Sequence, residues 1–209
     1  MKTIILLALL LASQCSAWLN IIAINQEANE TSVACMKATK YDSVYFRALK
    51  NGKLDPTLIR NLRVISDSEM HWTFFLEPNA IAGDPSEQAQ AVINVTMYMS
   101  RRKYIPIDVY NVHAWGKNKA KNAEFLQTMI NKFEAKDCRC VVISSKYSWA
   151  AIMGAENHDF SSNRLWLVNE DGNPDMNDFD SFGGWKIASY KTYRTNYNTC
   201  GFKASRVSF

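Results

Sequence analysis

Five times in its first three quarters this chain passes from a strand-length apolar run into a helical stretch, and no other feature narrows its possible folds as much. The runs at 19–25, 44–49, 72–76, 104–110 and 140–144 are apolar on both faces, as strands covered on both sides must be. Between them the spacing turns helical. Thr31 or Ser32 caps a helix through Lys40. Asp55-Pro56 opens one carrying Leu58, Ile59, Leu62 and Ile65, and Asp84-Pro85 opens one with Ala89, Val92, Ile93 and Met97 on one face. Residues 117–135 are amphipathic, with Phe125, Leu126, Met129, Ile130 and Phe133 inward, and 147–153 form a short helix. Such alternation predicts parallel β-α units, hence a doubly wound sheet or a barrel. After Gly154 the pattern changes: 165–168, 186–193 and 202–209 read as strands joined by loops rich in Asn, Asp and Gly. The reading that fits both parts is α/β: an irregular TIM-like (β/α) barrel of about five β-α units, followed by a strand- and loop-rich last third. No GxGxxG or GxxxxGK[ST] run is present, so nothing points to a nucleotide, and no cofactor is expected.

Residues 1–17 stand outside this pattern. Lys2, an apolar run over 4–12 and the small residues of Ser13-Gln14-Cys15-Ser16-Ala17 read as a secretory signal peptide. Its apolar run is too short to span a bilayer, and no later segment reaches the roughly 18 apolar residues of a membrane helix. The expectation is a secreted, extracellular protein beginning at Trp18, with 18–209 as a single domain, soluble and monomeric. The formal net charge is +4, one less without Lys2, and no Lys/Arg block is dense enough for nucleic acid. Arg101-Arg102-Lys103 reads as the solvated end of a helix.

Without Cys15, four cysteines remain: Cys35, Cys138, Cys140 and Cys200. An oxidising compartment favours at least one disulfide. Cys138 and Cys140, side by side in a strand, pair poorly, which leaves Cys35–Cys200 as the preferred bridge. There is no CxxC, and His71, His113 and His158 are scattered, so no metal site is expected. Asn29-Glu30-Thr31 and Asn94-Val95-Thr96 are glycosylation sequons.

In a barrel, function gathers at the C-terminal ends of the strands. Those ends carry Asn25, Glu77, Asp108 with Tyr110, and Asn169-Glu170-Asp171. Trp72, Trp115, Trp149, Trp166 and Trp185 are interspersed among them. Carboxylates among aromatic rings suit a sugar cleft, since rings stack on pyranose faces and acids bond hydroxyls. Paired carboxyls about 5–9 Å apart are what glycoside hydrolysis normally uses. The plain alternative is that a strand-end Asp caps a loop and that most of the tryptophans are core, leaving two or three aromatic residues for a cleft.

Several segments, in order, resemble glycoside hydrolase family 25 lysozymes, especially the secreted lysozyme-like proteins of nematodes and protists. Val44-Tyr45-Phe46-Arg47-Ala48 is similar to the family's second strand, and Ile107-Asp108-Val109-Tyr110 stands where the family has a strand ending in Asp-x-Glu. The run from Ser144 to Gly154, Leu165-Trp166, and Asp178-Phe179-Asp180-Ser181-Phe182-Gly183-Gly184-Trp185 complete the likeness. It implies an irregular barrel of eight strands with about five helices. It also implies kinship with enzymes that cleave the β-1,4 link between N-acetylmuramic acid and N-acetylglucosamine in bacterial cell-wall glycan. The family's acids fall on Asn25, Asp108, Tyr110 and a position near Ser205, so only Asp108 is kept. Tyr110 takes the place of the general acid. A tyrosine ionises near pH ~10 and protonates a leaving group poorly, and loss of a general acid costs about 10²–10⁴-fold in rate. The resemblance therefore implies an impaired or inactive lysozyme-like protein that acts in defence or signalling by binding glycan, with Tyr110, Trp166 and Trp185 as contacts. The alternative is a working muramidase using Asp108 with Glu77 or Glu170.

Overall fold

The computed structural model describes residues 19–96, 104–154 and 158–209. The segment read as a signal peptide, Trp18, Met97 and Arg101-Arg102-Lys103 lie outside the described residues. Six of the strands are β1 (Ile21–Ile24), β2 (Ser43–Lys50), β3 (Lys53–Leu54), β4 (His71–Leu76), β5 (Tyr104–Asp108) and β6 (Arg139–Ser144). β7 (Arg164–Val168), β8 (Tyr190–Thr199) and β9 (Phe202–Ser208) follow. The helices are α1 (Glu30–Ala38), α2 (Leu58–Ser66), α3 (Pro85–Thr96), α4 (Lys119–Glu134) and α5 (Lys146–Met153).

The strands close on themselves. β1 pairs in parallel with β2 and antiparallel with β9, so the order β1-β9-β8-β7-β6-β5-β4-β2 returns to β1. β3 is a short flap on β2, turned by Asn51-Gly52, both in the left-handed region that a two-residue hairpin needs. Closure explains the doubly apolar strands. Tyr45, Val141, Ile143, Trp166, Tyr190 and Val207 fill the barrel interior, while α2 to α5 pack on the outside through Leu62, Val92, Leu126, Met129, Phe133 and Ile152. α1 covers a third cluster, around Ile22, Ile24, Met36 and Phe202.

Local chemistry sets the element ends. α1 begins one residue before the expected cap: Asn29, rather than Thr31 or Ser32, is its N-cap. Asn29 Oδ1 accepts from Ser32 N at 2.9 Å, and Ser32 Oγ accepts from Asn29 N at 2.9 Å, a reciprocal capping box. Asp55 Oδ1 accepts from Thr57 N ahead of α2, Asn118 caps α4 and Ser145 caps α5. β8 departs most from expectation. It runs from Tyr190 to Thr199 rather than over 186–193, because its polar second half gains an antiparallel partner in β9 across the Cys200-Gly201 turn. Cys35 and Cys200 form the expected disulfide, with Cα atoms 5.4 Å apart, pinning α1 to that turn. Cys138 and Cys140 are buried free thiols, and burial pushes the Cys140 thiol far up.

Candidate functional site

The C-terminal ends of the parallel strands open into a cavity of about 220 Å³. Asn25 following β1, Glu77 following β4, Asp108 ending β5, Tyr110 just beyond it, and Trp166 and Val168 from β7 line it, with Thr192, Thr195, Lys203 and Ser205 from the β8–β9 hairpin. Asp108 is half-buried. Its Oδ1 accepts the backbone N–H groups of Tyr110 at 2.6 Å and Asn111 at 3.1 Å, so the carboxylate folds the chain back over the strand end. Burial pushes its pKa above the ordinary value against the pull of those two bonds.

Glu77 shares this cavity but is not free. Both its oxygens accept from Arg47 Nη1, at 3.1 and 3.3 Å. Arg47 is nearly buried in β2, and its Nε donates to Asp55 Oδ2 at 2.7 Å while Nη2 donates to the Asn25 carbonyl at 3.3 Å. One guanidinium thus ties β1, β4 and the start of α2 together beneath the cavity. Burial raises the Glu77 pKa most; Arg47 pulls it down and the neighbouring Asp108 charge pushes it up, with a net rise.

Tyr110 is 38% exposed at the rim. Burial, Glu170 and Asp108 all push its phenol above its usual value, so it holds its proton at neutral pH. Glu170 does not line the cavity. It borders an adjoining groove with Tyr110, Tyr147 and Asn169, and accepts a hydrogen bond from the Thr195 hydroxyl. The neighbouring loop is held by Lys191, whose fully buried Nζ reaches Asp171 Oδ2 at 2.7 Å, the Asp175 carbonyl at 2.7 Å and Asp178 Oδ1 at 3.0 Å.

The two tryptophans singled out as contacts part company. Trp166 lies on the cavity floor, edge-on to Tyr45 at 5.2 Å, with its Nε1 donating to Thr192 Oγ1 at 2.8 Å. Trp185 is elsewhere, and its reading as a contact is corrected. It is 3% exposed, packs against Trp149 and Phe182 on the outer side of the barrel, and spends its N–H on the Asn163 carbonyl. The Phe182-Gly183-Gly184-Trp185 run is therefore structural. Gly183 has φ 55°, and a Cβ there would stand 2.7 Å from both indoles. Ser205 does face the cavity, opposite Ala23 in the ladder. Sequence reasoning missed Arg47, Asp55, Thr192, Thr195 and Lys203 as parts of the site. Arg47 had a signal: a lone charge amid an apolar strand must be paired when buried. Among the described residues no group of three or more His, Cys, Asp or Glu is placed to hold a metal ion, and no helix is long and apolar enough to cross a membrane.

A closed barrel of eight strands with five helices is the fold shared with solved glycoside hydrolase family 25 lysozymes. The "bacterial lysozyme from Streptomyces coelicolor" superposes with a TM-score of 0.73 over 93% of both chains at 12% identity. A structure of the modular autolysin LytC from Streptococcus pneumoniae, in complex with a synthetic peptidoglycan ligand, matches with a TM-score of 0.68 at 14% identity, over 92% of this chain and 46% of that one. In sequence, "Probable GH family 25 lysozyme 4" of Dictyostelium discoideum is 24% identical over 183 residues, 86% of this chain and 85% of the relative. Residues 15–193 match the family model described as "Lysozyme-like protein 1", and the chain belongs to that lysozyme-like family.

Proposed function

We propose that this is a secreted lysozyme-like protein, carrying N-linked glycans at Asn29 and Asn94, that binds cell-wall glycan in the barrel mouth without efficient hydrolysis and serves innate immune defence or signalling. The observation that carries the reading is Tyr110. At the position where the resembled enzymes hold a general acid, this chain presents a phenol whose environment moves it further from neutral pH. Asn25 and Ser205 add no acid, and Asp108 spends one oxygen on two backbone N–H groups. The cavity still offers what sugar binding uses: the Tyr110 ring at the rim, Thr192, Lys203 and two carboxylates, with the buried Trp166 beneath them. The peptidoglycan ligand held by LytC supports the choice of glycan.

A second reading has its own support. Asp108 and Glu77 share one cavity, and burial raises the pKa of each, which suits a general acid, although a hydrolytic pair also needs one carboxylate kept ionised. Against it, an acid clamped through both oxygens by Arg47 is poorly placed to deliver its proton to a leaving group. Incubating the protein with insoluble peptidoglycan, then assaying the pellet for bound protein and the supernatant for released muropeptides, separates the two. Binding without release is the expected result. Release that disappears in Asp108→Asn and in Glu77→Gln establishes the enzyme instead.

A further inference from the structure

The β8–β9 hairpin carries an arrangement that the cavity does not use. Arg194 and Arg206 stand directly opposite each other in the antiparallel ladder. Like charges so placed repel. Both guanidinium carbons also sit over one ring, 5.0 and 5.3 Å from the Tyr197 centroid, and Arg206 lies 5.3 Å from Tyr193 as well. Arg206 Nη2 donates to Asn20 Oδ1 at 3.2 Å, but its Nε is buried without an acceptor. Among the described residues neither arginine has a carboxylate within ion-pair distance. Arg194 is exposed and Arg206 half-buried, whereas the buried cations Arg47 and Lys191 are each matched, Arg47 by Asp55 and Glu77 and Lys191 by Asp171 and Asp178. Cation–π attraction to Tyr197 offsets part of the repulsion but neutralises neither charge.

Strand alternation puts this cluster on the outer face of the hairpin. Ser205 points into the cavity, so Arg206 points away from it, on the side where Phe202 and Ala204 pack under α1. We propose that this outer face, at Arg194, Tyr197 and Arg206, is an anion-binding surface that takes the phosphate groups of an anionic polymer. A guanidinium fork engages two oxygens at once, and a phosphate has enough oxygens for a fork and a further donor. Repeating phosphates can meet each guanidinium in turn and remove the repulsion that the cation–π contacts leave. The inference stands apart from the reading of the cavity, since the two faces of the hairpin are separate.

Fluorescence anisotropy of labelled linear polyphosphate, with labelled polyglutamate as the carboxylate probe, tests it. The wild-type protein should bind polyphosphate saturably and more tightly than polyglutamate. Arg194→Gln alters an exposed side chain and should fold; loss of its charged hydrogen bonds should weaken polyphosphate binding about tenfold. Arg206→Gln, checked for folding by circular dichroism, should weaken it at least as much. Equal affinity in Arg194→Gln, or no binding of polyphosphate by the wild type, overturns the site. Tighter binding of polyglutamate overturns the assignment to phosphate.

Discussion

Asp108 is the one acid of the resembled motif that this chain keeps, and its surroundings give it a structural role. One oxygen closes a turn through Tyr110 N and Asn111 N, a role that an uncharged amide oxygen can fill. Burial raises its pKa and that of Glu77, so the folded protein keeps both protons to higher pH than the unfolded chain. Between the unfolded carboxyl pKa of about 4 and the raised folded values, the native state binds more protons, and stability falls as pH rises through that window. Asp108→Asn should therefore raise the urea midpoint at neutral pH, with the advantage shrinking as pH falls through the carboxylate range and wild-type Asp108 takes up its proton. A lower midpoint at neutral pH would count against this account of the turn. Arg47 is the opposite case. Arg47→Leu strands Asp55, whose side chain is 2% exposed, together with Glu77, and should cost about 3–5 kcal/mol by chemical denaturation. At this scale the sequence disclosed which residue types stand at the strand ends. It did not disclose that Arg47 clamps Glu77, because that pairing joins strands 30 residues apart.

At the scale of elements, the first three quarters was legible because local signals agree there. Pro85 opens α3 after an Asp84 whose Oδ1 accepts from Glu87 N, and the apolar stripe of α4 returns as its buried face. The last third was less legible because long-range partners decide it. β8 extends to Thr199 through pairing with β9, and Trp185 enters the core because Gly183 and Gly184 let the chain turn tightly against Trp149. A sequence motif alone does not reveal whether an aromatic residue faces a cleft or a core. Two elements in this region lend themselves to measurement. The disulfide ties α1 to the β8–β9 turn across 165 residues, so Cys35→Ser with Cys200→Ser should lower stability by about 2–5 kcal/mol in urea titration. Lys191→Met removes the cation that gathers Asp171, Asp178 and the Asp175 carbonyl. It should speed limited proteolysis over 169–178 about tenfold, with the far-ultraviolet spectrum of the barrel unchanged.

For the whole molecule, closure by β9 is what brings the site together. Slotted antiparallel between β8 and β1, it adds Lys203 and Ser205 to a mouth otherwise built by parallel strands, and sets them near Asn25. The cavity has polar walls and two carboxylates, while three of the positions that resemble the lysozyme motif carry Asn25, Tyr110 and Ser205. The proposal is that this barrel binds glycan in its mouth and, with those residues in place, lacks efficient catalysis. The most direct test is muropeptide release from purified peptidoglycan by the wild type and by Asn25→Asp/Tyr110→Glu, each confirmed folded. The account predicts no release above background from the wild type and weak release from the double variant. Release by the wild type that is abolished by Asp108→Asn would contradict it.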